Sequence, residues 1–192
     1  MYMKNIFLLL SWLILLPSGI LANPIKGMLE RIDKGASNKF VVELHKSPND
    51  FFELDRKGDK VVIRGNTYIN IATGINWYLK YHAGIHLSWN GMYASLPDVL
   101  PPVLRKERHE TNLALRYDFN YCTYSYTIAF WDWKRWEKEL DWMALHGINL
   151  PLAAVGHECV WRNLLLRLGF SKQQINNFIA GPAFLAWWEM NN

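Results

Sequence analysis

Asn120, Tyr121, Cys122, Thr123, Tyr124, Ser125 and Tyr126 crowd an amide, a thiol, hydroxyls and aromatic rings into one short run. If a parallel strand precedes them, they stand where βα barrels build their sites. The bland alternative is a loop whose hydroxyls satisfy local backbone groups. A second cluster is Gly156-His157-Glu158 with Cys159 beside it. Neighbouring residues at a helix start cannot all face one ion, and no second group with ligand spacing exists, so a metal site is not expected. A Cys–His nucleophile pair lacks a third group to orient it. Glu158 is explained more simply as a favourable charge near a helix N-terminus.

Paired carboxylates would point to glycoside hydrolysis, which needs two acidic groups roughly 5–5.5 Å or 6.5–9.5 Å apart on different elements. Asp118 and Glu158 fall near two expected strand ends, but the sequence does not show that they face each other. The chain also carries ten tryptophans, seven of them after residue 130. Trp133, Trp136 and Trp142 share a helical segment, which favours core packing. Trp187-Trp188 follow a Gly-Pro break, where an exposed ring could stack on the apolar face of a sugar.

These groups need elements to hold them. Leu113–Tyr117 is expected as a strand. Asp132 can cap a helix through Trp133, Trp136, Leu140 and Met143, closed at Gly147. Ile148–Val155 is nearly all apolar, as a strand buried on both faces would be. A helix over Cys159–Leu168 closed by Gly169 follows, then another opened by a Ser171/Gln174 capping box and ended at Gly181-Pro182. The order β-α-β-α implies parallel strands joined by crossovers.

Upstream, residues 24–100 read as a smaller α+β unit. Lys39–Leu44, Phe51–Asp55 and Lys60–Arg64 suggest short antiparallel strands. Tyr68–Tyr81 sets Ile71, Ile75, Tyr78 and Leu79 on one helical stripe, with Gly84 as the stop. Ile85–Trp89 returns as a strand. Residues 97–110 read as a linker, because Pro97, Pro101 and Pro102 deny it regular structure, and the charge run Arg105–Glu110 is expected to be solvated.

Residues 1–22 are set apart. Lys4 precedes the apolar run Ile6–Leu16, Pro17-Ser18-Gly19 breaks it and Leu21-Ala22 ends on a small residue. This is the pattern of a secretory signal peptide, with a run of ~11 residues that is short for a hydrocarbon core of ~30 Å. An uncleaved anchor is the alternative. Cleavage implies a chain starting near Asn23, outside the cytoplasm, without stable membrane insertion.

Composition narrows the class. The chain has 192 residues, 21 Lys+Arg against 17 Asp+Glu, and a 51% hydrophobic share. That excludes a disordered tail. The small, unclustered basic excess argues against a nucleic-acid partner. Two cysteines cannot make a disulfide scaffold, and Cys122 and Cys159, following different strands, are expected to be unpaired.

The stretch RYDFNYCTYSYTIAFWDWKRWEKELDWMALHGINLPLA, followed by GHECVW and GPAFLAWWEM over residues 116–192, resembles glycoside hydrolase family 89, the alpha-N-acetylglucosaminidases. Residues 68–91 are similar to the family's small N-terminal domain. The resemblance implies an α/β chain: a signal peptide over 1–22, a small α+β domain over 23–105, and the first βα units of an incomplete (β/α)8 TIM barrel over 106–192. It implies secretion or a periplasmic location, lysosomal in an animal. The implied activity is metal-free, cofactor-free removal of terminal α-linked N-acetylglucosamine from glycans, with retention, by two glutamates. Those glutamates lie far downstream in the family, so no catalytic residue is assigned in this chain. The implied sugar-pocket residues are Asn120, Cys122 and Tyr126 from the first barrel strand and its loop, and Trp187 and Met190 from the segment after GPAFLAW. Asp118 stands where an aromatic residue is more usual and His157 where glutamine is expected. A stand-alone secreted carbohydrate-binding module is the alternative. A polypeptide 23–192 is expected to be inactive and poorly soluble, and one near 23–105 to behave better.

Overall fold

The computed structural model describes residues 23–181 and Phe184; the leader-like residues 1–22 and positions 182, 183 and 185–192 lie outside the described residues, and with them Trp187, Trp188 and Met190.

The first layer is a helix-backed sheet. Helix α1 (Pro24–Ile32) opens with the Asn23 side chain accepting from Ile25 N at 3.0 Å, and proline occupies its first turn, where a missing N–H costs nothing. It buries Ile25, Met28, Leu29 and Ile32. A 3-10 turn (Ala36–Lys39) leads into β1 (Phe40–Leu44), and β2 (Asp50–Lys57) and β3 (Lys60–Gly65) form a hairpin around Gly58, whose φ is +63°. Helix α2 (Tyr68–Tyr81) is capped by the Thr67 side chain. Its stripe of Ile71, Ile75, Tyr78 and Leu79 is fully buried against the sheet, as the periodicity predicts.

Three expectations fail in this unit. The strands are not all antiparallel: β1 pairs with β3 in parallel, Phe40 opposite Val61. The reason is order in space. The sheet runs β1-β3-β2-β4, so the hairpin's return strand, not its first, lies beside β1. The charge run is not simply solvated either. Glu107–Thr111 is β4, antiparallel to β2 with Phe52 opposite His109. The His109 ring stacks on Phe52 at 4.8 Å and Arg108 lies 3.6 Å over Phe51. The expected break at 105/106 therefore falls just before a strand of this sheet. Ile85–Trp89 forms no named strand, only a Ser88–Gly91 bridge. The Pro-rich stretch still packs, with Leu96, Leu100 and Val103 buried and Tyr78 Oη donating to Pro101 O at 2.6 Å.

The second part is β-α-β-α in order. Strand β5 (Tyr117–Asp118) pairs in parallel with β6 (Leu150–Pro151), joined through a 3-10 turn (Tyr121–Ser125) and α3 (Trp133–Leu145); α4 (His157–Arg167) and α5 (Lys172–Phe178) follow. Asp132 caps α3, Gly147 takes φ +77° after it, and Ser171 and Gln174 form the expected capping box. The strands are shorter than Leu113–Tyr117 and Ile148–Val155, and the second is not buried on both faces: Leu150 and Val155 are exposed. A strand extends only while a partner continues it, and β5 and β6 have only each other. Trp133 is 70% exposed rather than core, because it stands on the solvent side of the first turn of α3. Trp136 and Trp142 are partly buried, in different clusters. Helix α4 has no buried residue. Among the described residues no helix is long and apolar enough to cross a membrane.

Candidate functional site at the end of β5

The site begins with Arg116, which fixes where β5 starts. Its Nη1 donates to Asp50 Oδ2 of β2 at 2.8 Å and to Leu113 O at 2.6 Å, its Nη2 to Asn70 Oδ1 of α2 at 3.2 Å, and its Nε to Gly147 O after α3. Its backbone N–H donates to Asn149 Oδ1 at 2.8 Å and its carbonyl accepts from Asn149 N and Leu150 N. One guanidinium thus ties the small sheet to the starts of both β5 and β6.

At the other end of β5 the chain turns sharply. Phe119 is the one non-glycine residue with positive φ, +68°, among those described. Asp118 Oδ1 accepts from Phe119 N at 2.7 Å, which holds that turn. Asn120 then caps the 3-10 turn: its Oδ1 accepts from Thr123 N and Thr123 Oγ1, both at 3.0 Å, and its own N–H donates to Thr123 Oγ1 at 3.4 Å. Tyr124 swings under the turn and donates its hydroxyl to Leu152 O beside β6. Burial pushes the Tyr124 phenol upward, against a smaller opposing contribution from the Ala154 backbone. Phe119 meets its ring edge-on, and Phe119, Trp131 and Trp136 pack edge-on against one another beside it, with Trp131 and Trp136 ring centres 5.2 Å apart.

This construction answers part of the question raised by the crowded run. Thr123 and Tyr124 are engaged locally, in capping and in the cluster beneath. Cys122 is half-buried and free, and Tyr126 is 70% exposed. Asn120, Cys122 and Tyr126 share one turn after the parallel strand β5. Only Asn120 of the three lines the adjoining cleft of about 460 Å³, together with Tyr117, Asp118, Thr127 and Trp131. Trp187 and Met190 lie outside the described residues.

The second cluster opens α4. Glu158 is in the first turn of α4, and Cys159 is exposed, with Asn163 Nδ2 donating to its Sγ at 3.7 Å. Among the described residues no three His, Cys, Asp or Glu side chains gather as a group able to hold a metal. Cys122 and Cys159 are both free thiols.

One group was missed by sequence reasoning. Glu139, in the middle of α3, is 1% exposed. Its two oxygens share the Nε1–H of Trp89, at 3.0 and 2.8 Å, and Oε2 meets Arg135 Nη1 at 2.8 Å. Arg135 in turn lies 3.8 Å over the Trp131 ring and 5.0 Å from that of Trp89. The signal was available: Glu139 falls four residues after Arg135 and three before Trp142, hence on a common helix face.

Comparison with known proteins agrees with this architecture. Residues 23–102 match the family model of the alpha-N-acetylglucosaminidase N-terminal domain, and residues 116–192 that of the alpha-N-acetylglucosaminidase TIM-barrel domain. Human alpha-N-acetylglucosaminidase is 46% identical over 133 residues, covering 69% of this chain and 18% of the human protein. The family 89 glycoside hydrolase of Clostridium perfringens in complex with PUGNAc superposes with a TM-score of 0.80 at 38% identity, covering 88% of this chain and 20% of that one. A form of the Clostridium perfringens enzyme with two Glu→Gln substitutions, in complex with its substrate GlcNAc-alpha-1,4-galactose, gives a TM-score of 0.81 at 38% identity. The chain spans about a fifth of the length of these relatives. Its two matched regions stand on either side of residues 103–115, and the chain belongs to the alpha-N-acetylglucosaminidase family of glycoside hydrolases, family 89.

Proposed function

We propose that this chain is the N-terminal portion of a secreted exo-acting hydrolase that removes terminal α-linked N-acetylglucosamine from glycans. The single observation that carries the reading is the Asn120–Tyr126 turn, set at the C-terminal end of β5 inside a region that matches the family's barrel. In this reading 1–22 is a cleaved signal peptide, 23–105 the small domain, and 106–192 the opening of a (β/α)8 barrel. The protein works outside the cytoplasm, in the periplasm or, in an animal, in the lysosome.

The chemistry assigned to the whole enzyme is retaining hydrolysis by two glutamates, a nucleophile and an acid/base roughly 5–5.5 Å apart. The two Glu→Gln substitutions in the relative that is in complex with its substrate fit that scheme. Neither glutamate is assigned here. Glu139 is buried and committed to Trp89 and Arg135, and Glu158 lies in the first turn of a helix with no buried residue. The part played by this chain is to hold the sugar: the Asn120 amide and the Tyr126 hydroxyl as hydrogen-bonding groups, the Cys122 thiol as a small close contact, with Trp187 and Met190 as apolar walls. The Asn120 Oδ1 lone pairs are already used by Thr123, which leaves its Nδ2 donors for substrate.

The test is turnover of an aryl α-N-acetylglucosaminide. Purified 23–192 alone is expected to show none, and the same chain coexpressed with the remainder of a family 89 barrel is expected to show it. Turnover by monomeric 23–192 would overturn the reading, because it demands a catalytic pair within this chain. Sugar binding by 23–192 with no activity in the assembled pair would favour a stand-alone binding module.

A further inference from the structure

Glu139 is the most deeply buried charged side chain among the described residues, in the middle of α3. An apolar side chain of similar volume would fill the same space without the desolvation cost of a carboxylate. What the charge adds is direction. Both its oxygens accept the Trp89 Nε1–H, and Oε2 meets Arg135 Nη1 at 2.8 Å. Trp89 belongs to the small N-terminal unit, in the loop closed by the Ser88–Gly91 bridge. Arg135 lies 3.8 Å over the Trp131 ring. Trp131 meets Phe119 edge-on, with ring centres 6.4 Å apart, and Phe119 meets Tyr124 edge-on at 6.1 Å. The backbone joins the same groups: Trp131 N donates to Ile128 O at 3.1 Å, and Ile128 N to Thr123 O at 3.2 Å. We infer that Glu139 is a positioning residue, tying the small domain to the Asn120–Tyr126 turn through Trp89 on one side and through Arg135 and Trp131 on the other. Its bearing on the reaction rests on the sugar reading given above.

The turn needs a hold from outside itself. Phe119 opens it with φ +68°, a conformation that a non-glycine residue keeps only where its surroundings over-determine it. Tyr126, at the far end, is 70% exposed and gives no anchorage to a core. The hold comes from the aromatic cluster of Phe119, Tyr124, Trp131 and Trp136. Arg135 is the cation that touches this cluster and the buried carboxylate at once. A guanidinium suits that double task, because it can cover a ring while its N–H groups face an anion. Packed groups linked in this way carry coupling between distant sites, and the coupling is measurable.

The reporter is the Cys122 thiol, half-buried within the turn. In a Cys159→Ser background of 23–192 it is the only cysteine, and its labelling rate with DTNB reads how often the turn opens. Trp89→Phe keeps a ring and removes the N–H. Arg135→Lys keeps the charge and removes the planar fork. Each should speed labelling by roughly twofold to thirtyfold, the equivalent of the coupling such networks carry, with far-UV circular dichroism unchanged. The double variant should label no faster than the faster single one, since both break one tether. Ile71→Val, which loosens the core between α2 and the sheet, should label like the unsubstituted chain. Should either single variant lose its helical signal, Glu139→Gln takes its place with the same expectation. Unchanged labelling in either single variant would overturn the inference, because the tether needs both ends. Multiplied effects in the double variant, or equally fast labelling in Ile71→Val, would overturn it too. In the assembled enzyme Trp89→Phe should raise KM and keep kcat, the mark of a contact that binds ground and transition states alike. Unchanged KM in Trp89→Phe alone would overturn the positioning role. Unchanged KM in both Trp89→Phe and Cys122→Ala, with faster labelling, would remove the sugar reading and leave the tether, so the two fail separately.

Discussion

Arg116 Nη1 and Asp50 Oδ2 meet at 2.8 Å across the junction between the small sheet and β5, and both side chains are about four-fifths covered. The same guanidinium satisfies Asn70, Leu113 and Gly147. Arginine suits the position because its planar fork can serve several acceptors at fixed angles, which an ammonium cannot do. Arg116→Lys should therefore destabilise 23–192 by roughly 2–4 kcal/mol, close to what losing one partner of a mostly buried pair costs. Chemical denaturation of both proteins at neutral pH measures it, and a difference under half a kilocalorie would show the fork to be dispensable.

Asp50 also sets an acid limit. Partial burial pushes its carboxyl up, but hydrogen bonds from Asn66, Arg116 and Asn70 outweigh that and hold it below the usual carboxylate range. A group depressed in the folded state contributes stability that is present above its unfolded value, about 4, and is lost as pH falls through the lower folded value. Thermal unfolding followed downward from pH 7 should show this loss in the unsubstituted chain. Asp50→Asn should start less stable and lose less on acidification.

Tyr78 gives the opposite sign at the alkaline end. It is fully buried, and burial pushes its phenol up to about 12. Its stabilising contribution is intact below the unfolded value near 10 and is lost as pH rises from there through about 12. Tyr78→Phe removes the hydrogen bond to Pro101 O, at a cost of about 1 kcal/mol at neutral pH, and should flatten this alkaline loss. Absorbance titration of the phenolates, read beside the unfolding curve, checks both.

Two helical glycines should respond to alanine with opposite signs. A Cβ on Gly74 would stand 2.9 Å from Ile63 Cγ2 and 3.1 Å from Phe52 Cβ, both in the core under α2. Overpacking of that kind costs about 1–3 kcal/mol and exceeds the gain of about 1 kcal/mol in helix propensity. At Gly27 the nearest atom is Arg31 Nη1 at 3.3 Å, the end of a flexible side chain. Gly27→Ala should therefore raise the unfolding temperature and Gly74→Ala lower it.

The legible parts of this chain were those set by local chemistry. The caps at Asp132 and Ser171 and the stripe through Ile71 and Tyr78 follow from side chains three or four residues apart. The parts that failed depend on distant partners. The run Arg105–Glu110 reads as solvated because the neighbours of the strand it enters, Phe51, Phe52 and Trp77, lie far back in sequence. Ile148–Val155 reads as a doubly buried strand because its composition suits a barrel wall, yet only Leu150 and Pro151 find a partner. Helix α1 escaped notice beside the apolar leader, with Pro24 and Gly27 interrupting its pattern. At the site, the Asn120–Tyr126 run was visible by its residue types, whereas the Trp89–Glu139 contact joins residues fifty positions apart.

The proposed sugar contacts can be tested in the assembled enzyme described above. Cys122→Ala and Trp187→Ala should each weaken N-acetylglucosamine binding while leaving assembly intact, and unchanged kinetics in both would remove these residues from the pocket. Both cysteines are free, so titration of unfolded 23–192 should find two thiols, and a mass two hydrogens lighter would contradict that.

The last prediction concerns where the small domain can be cut. Its apolar core is nearly self-contained, since α1, the sheet and α2 bury one another, and Leu96, Leu100 and Val103 strap its side. A polypeptide ending at residue 105 keeps the strap but loses β4. That strand covers one edge of β2, places Arg108 over Phe51 and stacks His109 on Phe52 and Trp77. Without it β2 becomes an open edge flanked by bare aromatic rings, which invites association between chains. A polypeptide 23–113 keeps all four strands and ends before Arg116, although Asp50 and Asn70 then lose that partner. Compared with 23–192, both shed α4, whose residues are all at least partly exposed, and the exposed Val160, Leu168 and Phe170. The expected order of monomer yield is 23–113 first, 23–105 second and 23–192 last, read by size-exclusion chromatography at matched concentration. If 23–105 stays as monomeric as 23–113, then β4 is an accessory strand, and the small domain ends where the proline-rich strap ends.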